Sequence, residues 1–134
     1  MEQLTPVVRH LIVCENVRPD SANPRRITVE GLLHTIYALD DQPYPLRFRR
    51  FCVFVQMTAS RNSIAESWIE VRQADSNQLV IETSRRHLPT SSNPLDVLGV
   101  NFQLLDCLFP AAGLYWVQFW YDDNMLGQQP LLLR

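Results

Sequence analysis

From residue 7 almost to the C-terminus, short runs of Val, Ile, Leu, Phe, Tyr and Thr alternate with clusters of Pro, Asn, Asp and Ser. No run keeps a helical period over an adequate length. Strands joined by turns produce this spacing, whereas an α/β chain would place amphipathic helices between its strands. Strands are expected over residues 7–17, 27–37, 47–58, 66–73, 78–85, 97–108, 114–121 and 125–133. The clearest is 47–58. Phe51, Val53, Val55 and Met57 share one face, preceded by Arg49, and Phe48, Arg50, Cys52, Phe54 and Gln56 share the other. With side chains alternating at period two, the first set predicts the core face.

Punctuation along the chain agrees. Gly31 inside the second run predicts a bulge or a close backbone approach. Asp75-Ser76-Asn77 predicts the turn of a hairpin, and Asp122-Asp123-Asn124 predicts that of a C-terminal hairpin in which Pro130 marks an edge or a break. Residues 86–96, with two prolines, read as an irregular crossover between sheets, and 94–98 could hold a short helical turn. The expected fold is therefore an all-β antiparallel sandwich of about seven or eight strands, compatible with immunoglobulin-like or C2-like topology. A single domain spanning 1–134 is expected. A chain of 134 residues, 46% of them apolar, is long enough to bury a real core.

Charge and cysteine usage narrow the function classes. The net charge is −2 and no basic tract occurs, so no nucleic-acid partner is expected. All twelve basic residues are arginine. A base-composition bias accounts for that, but arginine also pairs with carboxylates and stacks on aromatic rings, which makes the surface more adhesive than a lysine-rich one. Cys14, Cys52 and Cys107 form no CxxC and have no histidine set nearby, so buried thiols are expected rather than a disulfide framework, a metal site or any cofactor. The first residues lack the basic start and apolar stretch of a signal peptide, and no apolar run approaches a bilayer span. A cytoplasmic protein with no membrane partner is expected. His10, His34 and His87 are far apart in sequence, Ser91 and Ser92 sit in a polar loop as turn formers, and the four glycines are isolated. With no catalytic signature, a non-enzyme is expected.

Two stretches carry a family resemblance. Leu11-Ile12-Val13-Cys14-Glu15-Asn16-Val17 followed by Ile27-Thr28-Val29-Glu30-Gly31-Leu32, and Phe109-Pro110-Ala111-Ala112-Gly113-Leu114-Tyr115 leading into Asp122-Asp123-Asn124, resemble the opening and close of an uncharacterised bacterial family of small β-sandwich proteins, a domain of unknown function. The resemblance spans nearly the whole chain and implies a sandwich, with no activity attached. The glycine usual in the last turn of that family is replaced by Asn124, which tolerates positive φ. The residues themselves suggest a structural role for Tyr115, its ring in the core and its hydroxyl anchoring a corner.

One strand departs from the sandwich pattern. In residues 114–121, Tyr115, Val117, Phe119 and Tyr121 share one face, and Leu114, Trp116, Gln118 and Trp120 share the other. Both faces are apolar or aromatic, where a sandwich strand ordinarily keeps one wet. Either protein covers Trp116 and Trp120, through the 86–96 loop or a second copy in a homo-oligomer, or they form a platform for a sugar or small ligand together with Trp68. The expected contact set is Trp116, Gln118 and Trp120, with Arg47 and Arg49 as the arginines that could hold an acidic group. The expected function is a protein-interaction or structural module that self-associates or binds another protein through the Trp116/Trp120 face. A carbohydrate- or small-ligand-binding sandwich is the alternative, and an enzyme with histidines and carboxylates gathered at one end is the second alternative.

Overall fold

The computed structural model describes residues 5–23, 26–38, 44–58, 64–93 and 95–134. Among the described residues, ten strands form two sheets and there is no helix. The four-stranded sheet runs β2 (Ile27–Leu32), β1 (Val8–Pro19), β4 (Leu46–Thr58), β8 (Val97–Phe109). The six-stranded sheet runs β3 (Thr35–Ile36), β10 (Asn124–Leu133), β9 (Gly113–Tyr121), β5 (Glu66–Gln73), β6 (Leu79–Glu82), with β7 (Arg86–His87) also pairing with β5. All pairings are antiparallel except β3 with β10. The all-β sandwich is as expected.

The strand count of seven or eight is corrected to ten. The expected strand over 27–37 breaks at Leu33 and His34, because its two halves serve different sheets: β2 pairs with β1, and β3 lies parallel to β10. At the crossover, β7 is still in the six-stranded sheet and β8 opens the other. Val97 and Leu98 are already strand, so no helical turn forms there among the described residues.

Phe51, Val53, Val55 and Met57 are fully buried, as the alternation requires. The opposite face of β4 is not wet throughout, since Cys52 and Phe54 are buried too. Alternation fails earlier in the strand. Leu46 and Phe48 pack on the core, then Arg49 and Arg50 are both exposed, then Phe51 is buried. β8 does the same in the opposite direction: Phe109 and Cys107 are buried, Asp106 and Leu105 exposed, Leu104 buried. Asp106 takes φ 52°, and the register from Leu46↔Phe109 to Thr58↔Val97 never shifts. Two neighbouring strands therefore change phase together.

The turns show where φ is spent. Gly31, at φ 66°, lets the Glu15 side chain approach to where a Cβ would lie 2.8 Å from it. In the last hairpin the positive-φ residues are Asp122 (48°) and Asp123 (64°), not Asn124, which already pairs with Tyr121. Two central residues of positive φ suit the right-handed twist of the flanking strands. Tyr115 is buried in the core, and its hydroxyl donates to the Ala111 carbonyl (2.6 Å) and accepts from the Ala111 N–H (3.2 Å). Tyr115→Phe is expected to cost about 1–3 kcal/mol, because the ring stays but a part-buried backbone pair loses its partner. Urea unfolding monitored by circular dichroism measures it.

All three cysteines are free and buried. Burial, with a smaller contribution from Cys52 opposite it, pushes the Cys14 thiol up to about 11, and burial pushes Cys107 up to about 12. An unfolded thiol ionises near 9, so between that value and the folded ones the unfolded chain has lost protons that the folded chain retains, and stability falls as pH rises. The urea midpoint is expected to drop through this alkaline window, and Cys107→Ala should flatten part of that slope. In native protein at neutral pH, iodoacetamide should leave all three thiols unlabelled until unfolding exposes them.

Candidate functional site

The outer face of the six-stranded sheet is built from β5, β9 and β10. On β5, Trp68, Glu70 and Arg72 project to the same side by alternation, and their register partners on β9 are Trp120, Gln118 and Trp116. β10 continues the rows with Met125 opposite Trp120, Gln128 opposite Gln118 and Pro130 opposite Trp116. Two largely apolar rows thus flank a central polar one, about 7 Å from row to row as strand spacing dictates.

The Trp68 and Trp120 rings stack, with centroids 6.1 Å apart and planes 7° from parallel. The Arg85 guanidinium lies 3.9 Å from the centre of the Trp68 ring and also approaches Asp123 at 3.8 Å. Trp68, held between a ring and a cation, is only 3% exposed, whereas Trp116 and Trp120 are half-buried. The polar row locks the rings. Trp68 Nε1 donates to Glu70 Oε2 (2.7 Å), and Arg72 donates to Glu70 Oε1 through Nε (2.9 Å) and to the Asn77 carbonyl. Trp120 Nε1 donates to Gln118 Oε1 (3.2 Å), and Gln118 Nε2 to Gln128 Oε1 (3.2 Å). Buried Glu70 is therefore paired with both a cation and an indole N–H, the condition under which a buried carboxylate is tolerated.

Of the five residues expected to form the contact set, the fold brings together Trp116, Gln118 and Trp120. Arg47 and Arg49 are not there. They lie on β4, in the other sheet, exposed at its first half. Alternation also set Arg50 on the face opposite Arg47 and Arg49, but the phase break leaves all three exposed, with Arg50 Nη2 donating to Asn16 (3.0 Å). The arginines at the tryptophan face are Arg72 and Arg85. Arg72 could have been found from the alternation Trp68-Glu70-Arg72, but Arg85 reaches the face from beyond the hairpin, with no local signal. The described residues of the 86–96 loop do not cover Trp116 and Trp120. Having crossed to the four-stranded sheet, its Pro89, Thr90, Ser91 and Asp96 line a cleft of about 740 Å³ with Phe54, Gln56 and Gly99. There Ser91 Oγ donates to Asp96 and accepts the Asn93 N–H, which is turn chemistry.

His10 lies on β1, His34 between β2 and β3, and His87 on β7. Among the described residues no three His, Cys, Asp or Glu side chains gather closely enough to hold a metal ion. Among the described residues no helix is long and apolar enough to cross a membrane.

The model of a family of unknown function, DUF6941, matches residues 9–134. The chain belongs to that family. No curated protein matches it. Among solved structures, it is similar to the alkylpurine DNA glycosylase AlkC of Pseudomonas fluorescens, bound to DNA containing an abasic site analog, at 10% identity and TM-score 0.53. That likeness covers 96% of this chain and 30% of the glycosylase chain, so the DUF6941 chain spans under a third of it. It is also similar to an immunoglobulin-like protein of Pseudomonas aeruginosa, at 10% identity and TM-score 0.47, over 98% of both chains. At such identity the first likeness speaks for the sandwich fold alone.

Proposed function

We propose that this chain is a non-enzymatic protein-interaction module that meets its partner, a second copy or another protein, through the outer face of the six-stranded sheet. The observation that carries this reading is that Trp116 and Trp120 stand partly exposed in a platform whose polar tips are mostly bonded within it. The platform is pre-organised, since Trp68 and Gln118 fix the Trp120 ring, so little side-chain entropy is lost on contact. Aromatic side chains and arginine are enriched in protein interfaces and dominate their energetics. A glycan requires hydrogen-bond partners for its hydroxyls, and the indole N–H groups of Trp68 and Trp120 are already used.

Met125, 41% exposed at the rim of the face, is the place to install a photo-cross-linking side chain in the cell, with Thr28 on the other sheet as control. Protein adducts are expected from position 125 and not from 28, and Trp116→Ala should reduce them roughly tenfold, the scale of a hot-spot residue. Trp116 is the cleaner probe because Trp120 also supports Trp68. Equal adducts from 125 and 28 would overturn the reading, and tryptophan-dependent binding to a glycan array would replace it with the sugar-binding one.

A further inference from the structure

We infer that the cleft on the four-stranded sheet binds a small organic anion, one acidic group carried on an apolar body. The site lies on the other sheet from the tryptophan face and does not rest on the reading given for that face. Its volume of about 740 Å³ is that of a small-molecule site, for which roughly 300–1,000 Å³ is usual. Separate stretches of chain converge on it: β1 at Arg9, β2 at Ile27, β4 at Phe54 and Gln56, the crossover at 89–91 and β8 at 97–99. The floor is aromatic. A Cβ at Gly99 would lie 2.7 Å from the Phe54 ring, so a residue without a side chain is what lets that ring lie down over β8. Ile27 and Val97, 38% and 46% exposed, stand at the walls. Apolar side chains left open inside a concavity are what the body of a ligand covers.

A bulge places the cation. Val8 stands opposite Met57 and His10 opposite Gln56, so β1 fits one extra residue between them. Val8 thereby packs on the core, while Arg9 and His10 are both exposed. Unbroken alternation back from buried Leu11 would instead point Arg9 into the sandwich. Bulges re-aim side chains in this way and are frequent beside functional sites. Among the described residues, the side chains of Arg9, Gln56 and Thr90 have no hydrogen-bond or ion-pair partner. Asp96, by contrast, is engaged in its own turn, accepting from Ser91 at Oδ2 and from Asn93 Nδ2 at Oδ1 (3.3 Å). The open polar groups are therefore a guanidinium that only donates, an amide and a hydroxyl. They suit an anionic acceptor, which a guanidinium holds through paired N–H donors. An amine finds no open carboxylate there.

Amide NMR on the full chain, titrated with octanoate, tests this, with octanol and octylamine as the neutral and cationic matches. Octanoate is expected to shift the Arg9, Gln56 and Gly99 amides in a saturable way, with a Kd of about 1 mM or tighter, and to leave the Trp116 and Trp120 indole signals in place. Octanol and octylamine should bind at least roughly tenfold more weakly, the equivalent of losing one charge-assisted hydrogen bond. Arg9→Gln should bring octanoate down to the level of octanol. Val97→Trp, a filling side chain at an exposed position, should block all three ligands. Absence of saturable shifts at the cleft overturns the proposal. So does octanoate binding that matches octanol or is indifferent to Arg9→Gln and Val97→Trp. Binding lost on Trp116→Ala also overturns it and assigns the ligand to the tryptophan face.

Discussion

Trp68→Ala is expected to destabilise the fold by about 3–5 kcal/mol, a large share of the roughly 5–15 kcal/mol that a domain commands. The ring is almost wholly buried although it lies on the outer side of a sheet, and its loss is felt three ways. A large cavity opens between Arg85 and Trp120, the stacked pair vanishes, and Glu70 Oε2 loses its indole donor. Trp68→Phe should recover most of the packing but not the hydrogen bond, leaving a deficit of about 1–3 kcal/mol. Chemical unfolding separates the two variants. Emission should separate them from Trp116→Ala, because Trp68 and Trp120 report on one stacked environment and Trp116 on another. A Trp68→Ala variant within about 1 kcal/mol of wild type would mean that the outer face contributes little to stability.

Phe119→Ala is expected to cost a similar amount, about 3–5 kcal/mol, for a different reason. Phe119 is fully buried on the inner side of β9 and meets Phe102 of β8, ring centroids 6.0 Å apart. This contact joins the two sheets. Phe102→Ala and Phe119→Ala together should therefore cost less than the sum of the two alone, with a coupling of about 0.5–1.5 kcal/mol. A strictly additive double variant would show that the aromatic pair has no energy beyond its separate burial.

What the sequence makes legible here depends on how local the cause is. The core face of β4 can be read from Phe51, Val53, Val55 and Met57 because period two runs unbroken through them. The exposure of both Arg49 and Arg50 cannot, since it needs a matching break at Asp106 more than fifty residues on. The division of 27–37 is hidden for the same reason: Leu33 and His34 are plausible strand residues, and only the position of β10 decides where Thr35 goes. At the candidate site, the two dry faces of β9 are visible in Trp116, Trp120 and their neighbours. The cation over Trp68 is not, and neither is the absence of Arg47 and Arg49, because alternation assigns a residue to a face of its strand but not to a sheet.

The coupled phase change in β4 and β8 has a consequence for how such chains can vary in length. Each strand presents its inward set with one parity before the break and the other after it, and the two breaks face each other across an unbroken register. Deleting one residue at 49–50 alone would pit the wrong parity of β4 against an unchanged β8 and turn either Phe48 or Phe51 toward water. Deleting one at 105–106 as well would restore the match. Insertions and deletions at these two places should therefore be inherited as pairs, so that a gap in one strand of a related chain forecasts a gap in the other.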